Sequence, residues 1–64
     1  MKQNILQELR ISHGVSREEI AEVAGLTVDT IDDIESGKET MVSIKAIARI
    51  AVFFKLPPSA IFTA

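Results

Sequence analysis

Between Ser16 and Gly37 the chain reads SREEIAEVAGLTVDTIDDIESG, two helix start signals and two helix stop signals in which the first stop and the second start share a three-residue turn, Gly25-Leu26-Thr27. No other stretch constrains the fold as much. Ser16 followed by Glu19 is a capping box: the hydroxyl accepts the amide at the third helical position, and the carboxylate reaches back to the amide of Ser16. Ile20, Val23 and Ala24 then fall on one helical face, with Ala21 small enough to let a second helix approach. Gly25 provides the left-handed residue that ends this helix, and Gly37 does the same for the next. Thr27 is the second N-cap, and Ile31 and Ile34 point inward from the helix it opens. The spacing predicts a helix-turn-helix over residues 17–36.

Ala21, Gly25, Ile31, Ile34, Glu35 and Gly37, at these spacings and followed by Lys38, make the stretch similar to the helix-turn-helix of the Cro/cI-type, lambda-repressor-like family of phage and bacterial regulators. The resemblance runs from about Ile5 to Phe62. It implies an all-α, five-helix DNA-binding domain whose third helix lies in the major groove of DNA. It also implies an ion pair between Arg10 and Glu35, joining the first helix to the third. Arg17 stands where the family most often has a glutamine that hydrogen-bonds a DNA phosphate. That job and a solvated Arg at a helix start are equally open to it.

Sixty-four residues, 47% of them hydrophobic, suffice for one small domain spanning residues 1–64, near the lower size limit for a single core. A first helix is expected over residues 4–13, with Asn4 as N-cap, Ile5, Leu6 and Leu9 inward, and Gly14 as its end. Ser43 caps a fourth helix whose inward stripe reads Ile44, Ile47, Ala48, Ile50, Ala51 and Phe54. Lys55 occupies a stop position where the family often has glycine, which implies either a mildly strained left-handed lysine or a different exit from the helix. Pro57 and Pro58 lead into a last short helix, Ser59 to Phe62. The expected core is Ile5, Leu9, Ile20, Ala24, Ile31, Ile34, Ile47, Ala51, Phe54 and Ile61.

Charge divides the chain in two. Residues 17–36 set Arg17 against Glu18, Glu19, Glu22, Asp29, Asp32, Asp33 and Glu35, a balance of −6, and the remainder carries +4. On a helical wheel the third helix turns Asp29, Asp32, Asp33 and Ser36 away from Ile31 and Ile34, onto the face from which members of the family touch base edges. With Arg17, Thr27, Val28, Thr30 and Lys38 these four make up the candidate surface for DNA or a protein partner. Three readings of the acidic triad remain open: a solvated face, a docking surface for a basic regulatory protein, or carboxylates accepting from cytosine amino groups. Three carboxylates on one helix leave most of a cation's shell to water, so no metal site is assigned.

Helix four has more apolar residues than one face needs. Met41, Val52, Phe53, Ile61 and Phe62 are either overflow from a small core or a self-association surface, and a homodimer follows from the second reading. His13, the only histidine, has neither an acid partner nor oxyanion donors near it in sequence, so no enzyme is expected; at a helix C-terminus it suits the last carbonyls. No cofactor is implied. The absence of cysteine, of a signal-peptide pattern and of a long uncharged apolar run points to a cytoplasmic protein without a membrane segment. The reading is a small transcriptional regulator of the repressor type, suited by its resemblance to a phage or mobile-element switch. It binds double-stranded DNA weakly or with the help of a partner. The alternative is a protein-binding module on the same fold, acting through the acidic helix or the apolar flank of helix four.

Overall fold

The computed structural model describes residues 4–38 and 41–62, which form five helices and no strand: α1 (Leu6–Ser12), α2 (Arg17–Ala24), α3 (Val28–Ser36), α4 (Ile44–Phe54) and α5 (Pro58–Ile61). Lys2 and Glu39, which enter the charge balance, lie outside the described residues.

Each helix boundary between Ser16 and Phe54 has a visible local cause. The Ser16 hydroxyl accepts from the Glu19 amide at 3.1 Å while the Glu19 carboxylate accepts from the Ser16 amide at 3.3 Å, so the capping box is complete. Thr27 and Ser43 cap α3 and α4 in the same way, each accepting an amide at 3.1 Å. Gly25, Gly37 and Lys55 end α2, α3 and α4 in the left-handed region. The amide one residue further on bonds back into the last turn each time, Leu26 to Ala21, Lys38 to Asp33 and Leu56 to Ala51. Lys55 does at φ 57° what the two glycines do without a Cβ.

The first helix departs from expectation. It starts at Leu6, not at Asn4, because the chain enters through an extended pairing: Asn4 bridges Phe62, and the Ile5 amide donates to the Ile61 carbonyl at 3.0 Å. Asn4 is still a cap of a kind, since its Oδ1 accepts from the Leu6 amide at 3.1 Å. Its Nδ2 meanwhile donates to the Ile34 carbonyl at 3.0 Å, tying the start of the chain to α3. This shift moves the apolar stripe by one residue. Leu6 is fully buried and Ile5, expected in the core, is 41% exposed.

The remaining core is built on Ile20, Ile31, Ile34, Ile50 and Ile61, all essentially inaccessible, with Ala24, Ala51 and Phe54 around them. Leu9 is half-buried against this cluster. Helix α4 presents a different face from the one its sequence suggests. Ala46 and Ile50 point inward, Ile47 is half-buried, and Ile44 and Ala48, both expected inside, are exposed, Ile44 by 86%. The small side chains decide this. Ala21 and Ala24 on α2 and Ala46 and Ala51 on α4 are all buried, so the two helices can pack closely only if the alanine side of α4 turns toward α2. His13 ends α1 with Nδ1 2.9 Å from the Leu9 carbonyl, its ring standing edgewise on Phe54.

One charged pair lies inside this framework. Arg10 Nε donates to Glu35 Oε2 at 2.7 Å and Nη2 donates to Oε1 at 3.3 Å, while Nη1 donates to the Val15 carbonyl at 3.1 Å. The two side chains are 11% and 2% exposed, and among the described residues no buried side-chain polar atom lacks a partner. Removing either partner alone strands a charge, so Arg10→Met and Glu35→Gln should each lower unfolding free energy by about 3 kcal/mol, with the double variant losing less than the sum. A urea-denaturation cycle showing additive losses would refute the coupling. Lys55→Gly should raise stability by roughly 1 kcal/mol, readable in the same titration, because it relieves the left-handed strain at the end of α4.

Candidate nucleic-acid interface

The turn between α2 and α3 is held from both sides. Gly25 and the Leu26 bond back to Ala21 close α2, Leu26 leans partly buried against the core, and the Thr27 hydroxyl opens α3 while lying 2.9 Å from the Thr30 hydroxyl. With Ile31, Ile34 and Glu35 buried, the opposite side of α3 faces out by necessity.

That outer side carries Val28, Asp29, Asp32 and Ser36, all exposed, and Thr27 and Lys38 are exposed at its two ends. Thr30 and Asp33 are half-buried, so Asp33 lies at the edge of the face and not in its centre. Ser36 turns its hydroxyl back to the Asp33 carbonyl at 3.2 Å. The self-association set divides as well: Met41 and Val52 are 87% and 76% exposed, Phe53 is 40% exposed and Phe62 half-buried, but Ile61 is completely buried in the core and cannot take part in any contact surface.

Arg17 has a role that its sequence context did not disclose. Its Nε donates to Glu35 Oε1 at 3.1 Å and its Nη2 lies 3.8 Å from Asp32 Oδ1, so it joins the first turn of α2 to two of the four carboxylates of α3. It is neither simply solvated nor wholly free for a phosphate. Glu35 therefore serves two arginines, Arg10 from the core side and Arg17 from the rim. Reading α2 and α3 as separate wheels could not show this, because the contact depends on their crossing.

The electrostatic consequence is local. Arg17 partly neutralises Asp32, while Asp29, exposed, and Asp33, half-buried, have no ion pair among the described residues. Among those residues there is no grouping of three or more acidic or histidine side chains fit to hold a metal ion, and no helix long and apolar enough to cross a membrane.

Comparison with known proteins agrees with this geometry. A family model described as helix-turn-helix matches residues 6–61. The structure of the restriction-modification controller protein C.AhdI from Aeromonas hydrophila superposes with a TM-score of 0.74 at 29% identity, covering 86% of this chain and 82% of that one. A chain of a SinR protein/SinI protein complex superposes with a TM-score of 0.76 at 24% identity, covering 92% of this chain and 57% of that chain. No curated protein matches the sequence.

Gly25 is the point where the turn is least tolerant. At φ 71° an added Cβ is strained, and it would also stand 2.9 Å from the Arg49 guanidinium, which lies across the turn. Gly25→Ala should therefore cost about 1 kcal/mol, chiefly from the left-handed backbone, since the arginine tip can move aside. Thermal unfolding followed by circular dichroism measures it; an unchanged midpoint would mean that the turn relaxes into another conformation.

Proposed function

We propose that this chain, which belongs to the Cro/C1-type helix-turn-helix family, is a cytoplasmic regulator of transcription whose α3 approaches duplex DNA through an acidic face. The observation that carries the proposal is the outward surface of α3: it projects from the capped turn, takes no part in the core, and presents Asp29 and Asp32 between Thr27 and Ser36. Proteins of this kind draw most of their affinity from Lys and Arg neutralising phosphates. Here no basic residue lies between Thr27 and Ser36, and Arg17 is already engaged with Glu35 and Asp32. Lys38, at the far end of α3, is the nearest unengaged cation in sequence.

The size of the effect decides what sort of binding to expect. A carboxylate ~6 Å from a phosphate costs about 0.7 kcal/mol in water before screening, so two or three of them offset a comparable number of favourable contacts. Binding to random duplex is accordingly weak. Recognition then depends on a cytosine-rich site whose amino groups the carboxylates can accept, or on a basic protein partner that brings the domain to DNA. The likeness to a restriction-modification controller protein supports the regulatory role, and the proposal places it in the switch of a phage or mobile element.

Fluorescence titration of random and native-promoter duplexes at low and moderate salt tests the reading, repeated with Asp29→Asn, Asp32→Asn and Asp33→Asn combined. Removing three charges from a face that meets DNA should tighten binding to random duplex by about tenfold at low salt. If the wild type already binds random duplex tightly and the triple variant binds no better, α3 does not approach DNA through this face.

A further inference from the structure

Glu35, Asp32 and Asp29 follow one row of α3, each three residues from the next, and the row climbs out of the core: the Glu35 side chain is 2% exposed, that of Asp32 is 61% exposed, and Asp29 lies on the open face. Arg17 reaches the first two from the start of α2. It has no ion pair with the third among the described residues.

The two ends of the Arg17 guanidinium are held very differently. Nε donates to Glu35 Oε1 at 3.1 Å, at the edge of the core, which fixes where the group sits. Nη2 stands 3.8 Å from Asp32 Oδ1, beyond hydrogen-bond reach, where both side chains are open to water. Such a contact is weak and is screened by salt. Charge in the cluster is balanced in pairs, Arg10 against Glu35 and Arg17 against Asp32. Since Arg10 already gives Glu35 two N–H bonds, the bond from Arg17 to Glu35 serves to place Arg17. Its charge is matched by Asp32 alone.

We infer that Asp32 is an internal stand-in for a DNA phosphate. It occupies the outer end of Arg17 in the free domain, and a backbone phosphate takes its place when α3 docks. Arg17, positioned by Glu35, is then the residue that meets the backbone beside α3. The inference rests on the reading that α3 approaches duplex DNA; it adds which cation grips the strand and what holds that cation back. A phosphate is the better partner, because it offers two charged oxygens to the planar fork of the guanidinium, whereas Asp32 makes no hydrogen bond to it. Displacing Asp32 has its own cost, since its unbalanced charge then faces the same strand. Asp32 thus weakens binding twice, by occupying Arg17 and by repelling phosphate. Asp29 has the same charge on the same face and no ion pair among the described residues, so it does only the second. The contact sets a threshold: Arg17 is released only when docking of α3 brings a phosphate beside it.

Fluorescence titration of a labelled random duplex at low salt tests this in a double-mutant cycle, with Asp32→Asn and Asp29→Asn each placed in the wild-type and in the Arg17→Gln background. Circular dichroism establishes that each variant keeps its helices. Asp29→Asn should tighten binding about twofold in both backgrounds; Asp32→Asn should tighten it about fivefold with Arg17 present and only about twofold without it. A second readout leaves Arg17 intact. Asp32→Asn should steepen the slope of log affinity against log salt by about 0.9, the mark of one more neutralised phosphate, and Asp29→Asn should leave it nearly unchanged. A pair that merely braced α2 on α3 would give no such difference. An Asp32→Asn gain that Arg17→Gln does not diminish, or an unchanged salt slope, would overturn the inference while leaving α3 on DNA. If neither substitution tightens binding, α3 does not meet DNA through this face, and the inference falls with that reading.

Discussion

Glu35 is the residue on which the arrangement of the first three helices depends. Arg10 approaches its carboxylate from the core with two nitrogens and Arg17 approaches from the rim with one, so α1, the start of α2 and the end of α3 meet at a single anionic point. Arg10 is also anchored to the Val15 carbonyl in the segment joining α1 to α2. A pair this buried contributes modest net stability when compared with apolar residues of the same shape, because both charges lose their water. What it supplies is a fixed relation among elements too short to fix one another by area alone. A chain of 64 residues with a core of six fully buried large side chains has little surplus apolar area with which to choose among packings. A hydrogen-bonded charge with only one satisfactory geometry makes that choice.

The same carboxylate shapes the outer face of α3. Holding Arg17 against Glu35 brings its guanidinium near Asp32, so the cation that opens α2 is directed toward the protein's own acids. The surface that the fold presents where duplex DNA is expected is thus acidic for two reasons: the side chains of α3 are Asp, and the nearby Arg is already engaged. On the proposed reading, affinity for nucleic acid comes from a particular base sequence or from a partner. Among the described residues the cations without an ion pair are Lys38, Lys45, Arg49 and Lys55, two of them on α4, where Arg49 lines a groove between α2 and α4. Separation of charge between the two faces follows from the fold, since α3 and α4 turn different sides outward.

Sequence by itself determined the local punctuation of this protein. Ser16, Thr27 and Ser43 cap, and Gly25, Gly37 and Lys55 stop, because capping and left-handed geometry involve atoms within four residues and are insensitive to what packs nearby. The inward faces of α2 and α3 were legible for a related reason: each has just enough apolar residues for one face, so Ile20, Ala24, Ile31 and Ile34 had no alternative. The Arg10–Glu35 contact followed from family resemblance and not from spacing. Only the tertiary structure decided the rest. Leu6 displaces Ile5 because the chain enters paired with Ile61 and Phe62, a contact between opposite ends that no window of sequence contains. On α4 nearly every position is apolar, so helical period could not select a face; close approach to Ala21 and Ala24 turned Ala46 and Ile50 inward and left Ile44, Ala48 and Val52 outside. The contact of Arg17 with Glu35, and the choice between the core and the self-association readings of Ile61, were decided on the same ground. What an arginine at a helix start reaches, and whether a C-terminal isoleucine is core or surface, depend on how helices cross, and crossing is settled by the shapes of side chains distant in sequence.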